Sequence, residues 1–434
     1  MTPSAAQMRQ QRGAHDPASH QPERGSQNTR LKTPPSACHQ APSNHSSVRP
    51  FHHPSDRIMA EPQPKPFTHI PILPLSHALS PSTKPAFLAA LRDALLNVGF
   101  LYLSETGLPE GLVDDVVREC RRFFEDLGIG EKEAIEMKNE RSFLGWSRLD
   151  NETTALNTDH REQLDLSTPQ PLPGPDAPLY HNLLAPNQWP SSTHLPAFRS
   201  VYEEYMSRMG NISKLFTSLI AEAIGLAPDA FDKFFDEDQQ HKLKIVKYPE
   251  VDVPHLPDGA SEIDRKKWEI KRQGVGPHKD SMLTSYLLQA SDQPGLQAQN
   301  ARGEWVDCKP IAGTLVVAIG QGMEALTDGV CASTTHRVLS PRKGEGARYS
   351  VPFFQGVSYD AQFEAMDVPE AVLQLRDEAR KARKDDVEFT FVKGRWGHLG
   401  EATLMNRIKS HPDVGERWYP KLLAQIRAQQ AAAS

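Results

Sequence analysis

The chain of 434 residues has few cysteines, no long apolar run and no excess of positive charge. Its four cysteines lie far apart and form no CxxC pair: Cys38, Cys120, Cys308 and Cys331. This spacing argues against a zinc ribbon, a dithiol redox motif or a disulfide-stapled secreted domain, and it favours a reducing, intracellular setting. No apolar run approaches the roughly 20 residues that a membrane helix needs. The net charge of -6, with both signs interspersed, argues against nucleic acid as a partner.

Residues 1–60 differ in composition from the rest of the chain. They are rich in Gln, Ser, Pro and His and have almost no periodic apolar residues. Such a segment cannot bury enough apolar surface to offset the entropy of ordering, which predicts a disordered N-terminal extension. We expect a cytoplasmic protein, with a mitochondrial presequence as the alternative, although Asp16, Glu23 and the prolines weaken an amphipathic helix here. Ordered-looking sequence begins soon after Met59, so the residues before it are expected to be dispensable.

Helical patterns come first in the chain and strand patterns follow. Apolar residues recur at helical spacing in residues 86–99, 112–127 and 196–226. HIPILPL reads as an edge strand, FLYL as a second strand, and the proline-rich residues 168–196 as a loop. Short strand-like runs then succeed one another between Gly, Pro and Asp turns: KIVKY, TSYLLQ, GLQAQ, GEWVDC, TLVVAIG and RYSVPFF. This order predicts a mainly β fold with flanking helices and a sandwich or barrel core.

Two histidines and a carboxylate mark a candidate metal site. His278 and Asp280 lie two residues apart in GPHKDSMLTSYLLQ, and residues two apart on a strand point to the same face. His336 follows 56 residues after Asp280, in TTHRV. Such a set forms the facial triad of non-haem iron(II) oxygenases, which leaves three coordination positions open for a co-substrate and O2. An HxD pair alone is common by chance, so the prediction depends on the residues that follow it.

Arg348 and Ser350 are again two apart on a strand-like run. An arginine and a hydroxyl on one face can hold a carboxylate through charge-assisted hydrogen bonds. Arg348 lies 12 residues after His336, close enough for the chain to return to the metal by a turn. Taken alone, Arg348 reads as a surface ion-pair partner, but together with the triad it predicts a ligand-binding role.

These motifs, in this order, resemble the isopenicillin N synthase-like family of iron(II)/2-oxoglutarate dioxygenases. The resemblance covers about residues 68–360. The matching stretches are IPILPL, NVGFLYL, REQLDLS, KYPE, GPHKDSMLTSYLLQ, GLQAQNARGEWVDCKP, TLVVAIGQGMEALTDGVCASTTHRV and RYSVPFF. It implies a double-stranded β-helix, or jelly-roll, core with the active site at one end.

The resemblance also implies roles for particular residues. In such relatives the arginine of an RxS motif binds the distal carboxylate of 2-oxoglutarate, the serine assists, and a tyrosine before a proline contributes. These roles fall on Arg348, Ser350 and Tyr248, with Fe2+ on the triad and no catalytic residue beyond the metal ligands. Ascorbate is a candidate reductant, and the oligomeric state stays open.

The expected function is therefore that of an oxidoreductase, a 2-oxoglutarate-dependent dioxygenase that hydroxylates, desaturates or cyclises a small molecule. Succinate and CO2 would be its co-products. NRIKSHPDVGERWYP (residues 406–420) resembles fungal members of the family, which favours specialised metabolism. We expect four regions: an extension over 1–60, an N-terminal α/β dioxygenase region over 61–230, the jelly-roll core over 231–365 and a C-terminal helical segment over 366–434.

The chain also departs from the family pattern. Where many plant relatives have NxGD, it has Ala318–Gln321, and we expect no catalytic role for Gln321. Val246 replaces an asparagine often found two residues before the tyrosine, so one co-substrate contact is expected to be missing. The charged, turn-rich residues 251–276 lead into the metal motif and either border the site entrance or form a surface insertion.

Three alternatives remain open at this point. An oxidase like isopenicillin N synthase shares the triad and the RxS pair but takes all its electrons from its substrate. A non-catalytic jelly-roll binding module would need neither feature. A polypeptide or nucleic-acid hydroxylase would be expected to show a basic groove, which the charge pattern does not indicate.

Overall fold

The computed structural model describes residues 66–154, 157–237, 240–362, 364–380 and 398–433. The predictions for residues 1–60, including the start at Met59, lie outside these ranges. The described strands are β1 (Ile72–Pro74), β2 (Phe100–Ser104), β3 (Gly145–Ser147), β4 (Thr153–Thr154), β5 (Asn157–Thr158), β6 (Glu162–Ser167), β7 (Lys242–Tyr248), β8 (Gln273–His278), β9 (Thr284–Gln289), β10 (Leu296–Gln299), β11 (Trp305–Asp307), β12 (Thr314–Ile319), β13 (His336–Leu339) and β14 (Arg348–Phe354).

The described helices lie mostly before and after these core strands. They are α1 (Lys84–Asn97), α2 (Glu110–Glu125), α3 (Ile129–Ala134), α4 (Phe198–Ala223), α5 (Glu262–Lys271), α6 (Gln321–Leu326), α7 (Glu370–Arg380), α8 (Leu399–Ser410), α9 (Pro412–Trp418) and α10 (Pro420–Ala433). None of the helices in the described ranges is long and apolar enough to span a bilayer.

Two sheets form the β core. The larger has eight strands in the order β1-β2-β12-β9-β14-β7-β6-β3, and the smaller has four in the order β11-β10-β13-β8. Every neighbouring pair is antiparallel except β1 and β2, which run parallel at one edge. HIPILPL is therefore an edge strand, as predicted.

The two sheets face each other across a shared apolar interior. Val246 and Leu287 from the large sheet join Val275 and Val338 from the small sheet in one buried cluster. Side chains alternate between the two faces along β7. Val246 points into this interior, whereas Leu243 points to the opposite face and packs in the larger apolar cluster outside it. This arrangement confirms the predicted mainly β core with flanking helices.

Helices α1, α2 and α4 cover the outer face of the large sheet. Leu91, Val116 and Phe216 from these helices pack with strand residues in the largest apolar cluster. Helix α1 is followed by a glycine for a steric reason: Gly99 has φ +66, and a Cβ there would overlap the carbonyl oxygen of Ala332. Only glycine lets the chain turn from α1 into β2 at this close approach.

Residues 251–276 are more regular than their composition suggests. They contain helix α5, whose first turn is capped by the Ser261 hydroxyl accepting from the backbone N–H of Asp264 at 3.1 Å. Helix α5 is tied to β13 by an ion pair of 2.8 Å between Glu269 and Arg337. None of its residues is buried, so the amphipathic pattern that would have revealed a helix is weak.

Candidate metal centre and co-substrate site

Strands β8 and β13 bring the two histidines of the predicted triad together. His278 ends β8, His336 begins β13, and the two are direct partners across this antiparallel pair. Their ring centroids lie 4.2 Å apart. Asp280 Oδ1 lies 3.6 Å from His278 Nε2 and 3.7 Å from His336 Nε2. One ligand atom from each residue lies within 4.8 Å of the others, which suits a single ion held by two imidazoles and a carboxylate.

Asp280 reaches this position in a different way from the one expected. It lies beyond the end of β8, so the two-residue alternation of a strand does not orient it. Instead the backbone N–H of Gln321 donates to the carbonyl of Asp280 at 2.7 Å, and that of Gly320 donates to Leu283 at 3.0 Å. A Cβ on Gly320 would overlap the carbonyl oxygen of Met282. The turn at Gly320 therefore holds the carboxylate-bearing segment by close backbone contact.

The residue between His278 and Asp280 in the sequence contacts helix α6. Lys279 is buried, and its Nζ lies 3.7 Å from Glu324 Oε2 in helix α6. This ion pair fastens the segment to helix α6. Helix α6 thus supports the metal motif, although the sequence analysis assigned no element there.

Backbone carbonyls orient both imidazoles. Nδ1 of His278 contacts the carbonyl of Gly276 at 2.8 Å, and Nδ1 of His336 contacts that of Thr334 at 3.1 Å. A proton on Nδ1 leaves the Nε2 lone pair facing Asp280. Burial lowers the pKa of both imidazoles, that of His336 to about 4. Both rings are therefore neutral at physiological pH, which is the form that binds metal ions.

The guanidinium of Arg348 lies inside the β core and is only partly paired. Its side chain is 1% exposed, and its Nη2 donates to Gln289 Oε1 at 3.3 Å. Its Nε and Nη1 have no hydrogen-bond partner among the described residues. Burial lowers the pKa of the guanidinium but leaves it charged. A buried cation with free N–H groups fits an anionic acceptor such as a carboxylate.

Tyr248 and Ser350 share this interior face with Arg348. Tyr248 is the cross-strand partner of Arg348, whose guanidinium lies 5.1 Å from the centre of its ring. Ser350 is the partner of Val246 and is 1% exposed. The Tyr248 ring packs against β8, where a Cβ on Gly274 would lie 2.7 Å from it. The three predicted co-substrate residues therefore line the interior, with Tyr248 against the strand that carries His278.

A cluster of buried polar residues beside His278 was not anticipated. Asp159 Oδ1 accepts from the backbone N–H of Gly276 at 3.1 Å, and Gly276 in turn contacts His278. The cluster, called the polar cluster below, consists of Glu152, Asp159, Arg161, Gln163, Asp165, Lys244, Arg407 and His411. Burial would raise the pKa of the Glu152 carboxyl, but the nearby cations Arg161 and Lys244 outweigh it and hold that pKa well below its ordinary value.

A sequence signal for part of this cluster does exist. In β6 and β7, polar residues alternate with leucine and isoleucine, and both sets are buried. A strand that is covered on both faces normally has apolar residues on each. Charged side chains such as Asp165 and Lys244 on the inner face of such a strand therefore indicate a function there.

Comparisons with known proteins agree with this geometry. Residues 70–192 match the family described as "non-haem dioxygenase in morphine synthesis N-terminal", and residues 240–357 match the 2OG-Fe(II) oxygenase superfamily. The 2-oxoglutarate-dependent dioxygenase frbJ of Dothideomycetidae sp. (strain 11243) is 66% identical over 370 residues, which cover 84% of this chain and 96% of that protein.

Two further relatives extend the comparison. Homoarginine-6-hydroxylase 2-ODD-C23 of Glycine max is 29% identical over 312 residues, covering 69% of this chain and 89% of that protein. A full-length Neurospora crassa protein, crystallised in complex with alpha-KG and thymine, has a TM-score of 0.59 and 21% identity, covering 78% of this chain and 96% of that one. At this identity the second likeness concerns the fold, and it confirms the jelly-roll core.

Fold and matches together define a non-haem oxygenase of the 2OG-Fe(II) superfamily. Within it, this chain belongs to the 2-oxoglutarate-dependent dioxygenases. The predicted family, enzyme class, metal and co-substrate are thereby confirmed, and the enzyme oxidises a substrate with Fe(II), 2-oxoglutarate and O2. The role of ascorbate and the four-region division stay predictions.

Proposed function

We propose that His278, Asp280 and His336 are the protein ligands of the catalytic iron. The observation that carries this proposal is the convergence of their ligand atoms within 4.8 Å, on strands that pair directly. Nitrogen and oxygen donors of this kind suit ferrous iron, which would supply the activation of O2 and its coupling to the oxidation of 2-oxoglutarate. The chain itself orients both imidazoles through Gly276 and Thr334, and Phe100 packs against the His336 ring at 5.1 Å.

We further propose that Arg348, Tyr248 and Ser350 bind the distal carboxylate of 2-oxoglutarate. The unpartnered Nε and Nη1 groups of Arg348 support this role, because a buried cation with unpaired N–H groups fits an anionic acceptor. Val246 stands opposite Ser350, where an amide side chain would offer a further donor. The anchor is therefore proposed to be the arginine with the two hydroxyls, in a site from which the β core excludes water.

The reaction is proposed to modify a small molecule of specialised metabolism. Similarity to the fungal protein frbJ over 96% of its length supports a fungal-type member of the family. The soybean relative is named as a homoarginine hydroxylase, which supports hydroxylation of a small polar molecule as the reaction type. We propose that the enzyme works in the cytoplasm without a nucleic-acid or membrane partner; the scattered cysteines and the interspersed charges support this.

Titration of 2-oxoglutarate into the Mn(II)-loaded protein tests the proposed anchor without requiring the primary substrate. A hydrogen bond to a charged group contributes roughly 1.5–3 kcal/mol, so losing one should weaken 2-oxoglutarate binding about 10- to 150-fold. Arg348→Lys keeps the charge but loses the planar fork, so it should bind less tightly than wild type, and Arg348→Ala less tightly still.

Arg208→Lys is the matched control, because Arg208 is exposed and pairs with Glu204 on the surface of helix α4. It should leave the titration unchanged. Wild-type curves in both Arg348 variants would place the carboxylate anchor elsewhere in the molecule.

A further inference from the structure

The polar cluster has more hydrogen-bonding capacity than its own members use. Arg161 Nε, Gln163 Oε1 and His411 Nε2 have no hydrogen-bond partner among the described residues. The side chain of Arg161 is 10% exposed, Gln163 is 1% exposed and His411 is fully buried. Buried polar groups are normally paired, and three unpaired atoms in one cluster indicate a place for a ligand.

The cluster adjoins the inner face of the large sheet and the strand that carries His278. Gln163 on β6 and Lys244 on β7 point to the inner face of the large sheet, the face that also carries Tyr248. At its other side, Asp159 is joined to His278 through Gly276. The cluster is thus continuous with both the candidate metal ligands and the candidate co-substrate anchor.

The carboxylates of the cluster are already satisfied. Glu152 accepts from Gln163 at 2.8 Å and lies 2.7 Å from Arg161. Asp165 accepts from Gln163 at 3.0 Å and from Arg407 at 3.0 Å. Asp159 accepts hydrogen bonds from Thr154, Gln273 and the backbone N–H of Gly276. Because the carboxylates already have partners, the unpaired groups of the cluster do not indicate a purely cationic ligand.

Most of the unused hydrogen-bonding groups in the cluster are donors. Arg161 Nε–H is unpaired, and Lys244 Nζ meets Glu152 and Asp165 only at 3.6 and 3.5 Å, longer than an ordinary hydrogen bond. His411 Nε2 is a donor when Nδ1 accepts from the Ser410 hydroxyl at 2.9 Å, and it lies 3.9 Å from Glu152. Such a group of donors fits an added carboxylate.

One acceptor is also unused. The amide N–H groups of Gln163 donate to both Glu152 and Asp165, which fixes the orientation of the amide. Its Oε1 consequently faces away from these carboxylates and can accept from a ligand. A ligand that presents a carboxylate and, beside it, an N–H donor would satisfy both kinds of unpaired group.

We propose that the polar cluster recognises the primary substrate by its α-carboxylate and α-ammonium groups, so that the substrate is a free amino acid. Arg161, Lys244 and His411 receive the carboxylate, and Gln163 Oε1 accepts from the ammonium group. The side chain of the amino acid is then the part available for oxidation. This inference rests on the proposed metal and co-substrate site, since it places the substrate against that site.

The test uses the Mn(II)- and 2-oxoglutarate-loaded enzyme and five probes of different side-chain type: L-arginine, L-lysine, L-glutamate, L-leucine and L-proline. Each is compared with its methyl ester, which keeps the amine but loses the carboxylate charge. At least one free acid is expected to bind about 10- to 150-fold more tightly than its ester, and to stimulate succinate release in the Fe(II) enzyme.

Two variants separate recognition from structure. Arg161→Lys keeps a cation between Glu152 and Asp159, and His411→Phe keeps a ring beside Phe143, so both should fold. Each should reduce the acid-to-ester preference, whereas the exposed control Arg208→Lys should keep it. Equal loss of acid and ester binding in the two variants would overturn the inference and leave the cluster a structural ion-pair network.

Failure of the inference and failure of the proposed function give different results. If 2-oxoglutarate binds but no probe binds at millimolar concentration, or if acid and ester bind equally, the amino-acid assignment is wrong while the co-substrate site stands. If 2-oxoglutarate itself does not bind to the Mn(II) enzyme, the proposed co-substrate site is wrong, and the substrate inference fails with it.

Discussion

At the scale of single residues, Arg348 combines full burial with unused hydrogen-bonding groups. A buried donor without a partner costs about 1–3 kcal/mol, and a charged one costs more. An enzyme can tolerate this cost where the group serves a ligand that is not permanently bound. The same residue should therefore stabilise the complex with 2-oxoglutarate and destabilise the protein without it.

Replacing Arg348 with methionine should separate these two effects of the residue on stability. Methionine fills much of the same volume and needs no partner, so the free energy of unfolding of the 2-oxoglutarate-free protein should rise by about 1–3 kcal/mol. Denaturant unfolding of the two apoproteins measures this change. Added 2-oxoglutarate should raise the unfolding midpoint of the metal-loaded wild type and have little effect on the variant. A less stable Arg348→Met apoprotein would contradict this account.

The candidate metal and co-substrate residues could be proposed from the sequence, whereas the polar cluster could not. His278, Asp280 and His336 belong to short motifs with distinctive neighbours. By contrast, Glu152 and His411 are 259 residues apart in the chain and carry no local motif. Their proximity depends on how β6, β7 and helix α8 pack, which single-sequence patterns do not encode.

At the scale of elements, the register between β8 and β13 determines the geometry of the candidate metal centre. Because His278 and His336 are direct partners, a shift of one residue would turn one histidine to the opposite face. The neighbour Arg337 points outward, where it pairs with Glu269 and stacks on Trp305 at 4.0 Å. These outer contacts help to hold the register that the inner face needs.

The turn between β12 and α6 offers an element-scale test. In Gly320→Ala, the new Cβ would displace the carbonyl of Met282 and with it the segment that carries Asp280. Changes in the groups that orient metal ligands commonly lower metal affinity about 10- to 100-fold, and a loss in this range is expected. Competition with a chelator measures the iron affinity.

The matched control is Gly111→Ala in helix α2, where a Cβ would meet no atom within 4 Å. It should leave iron affinity unchanged. Wild-type affinity in Gly320→Ala would show that the close approach does not position Asp280.

Element predictions succeeded where periodicity and burial agreed. TSYLLQ and RYSVPFF coincide with β9 and β14, because alternation and β-branched or aromatic residues indicate the same structure there. Helix α5 was missed because it is exposed and highly charged, and helix α6 because its six residues are too few to show a helical period. Asp280 was placed on a strand that ends two residues earlier, since strand ends depend on tertiary contacts.

At the scale of the whole molecule, the candidate site draws on residues from nearly the entire described chain. The N-terminal region supplies Glu152 and Arg161, the core strands supply the metal ligands, and the C-terminal helices supply Arg407 and His411. Arg407 lies 3.0 Å from Asp165, so residues 406–420, which resemble fungal members of the family, also contribute to the polar cluster. Helix α8 therefore contributes to the polar cluster as well as packing against the core.

The most direct test of the account is the iron content of the purified protein and of its triad variants. His278→Ala, Asp280→Asn and His336→Ala should each lose most of the bound iron and all 2-oxoglutarate turnover, while circular dichroism stays near wild type. His194→Ala is the control, because that side chain is 61% exposed and pairs with Glu131; it should retain both iron and turnover. A His336→Ala protein with wild-type iron and turnover would contradict the proposed metal centre.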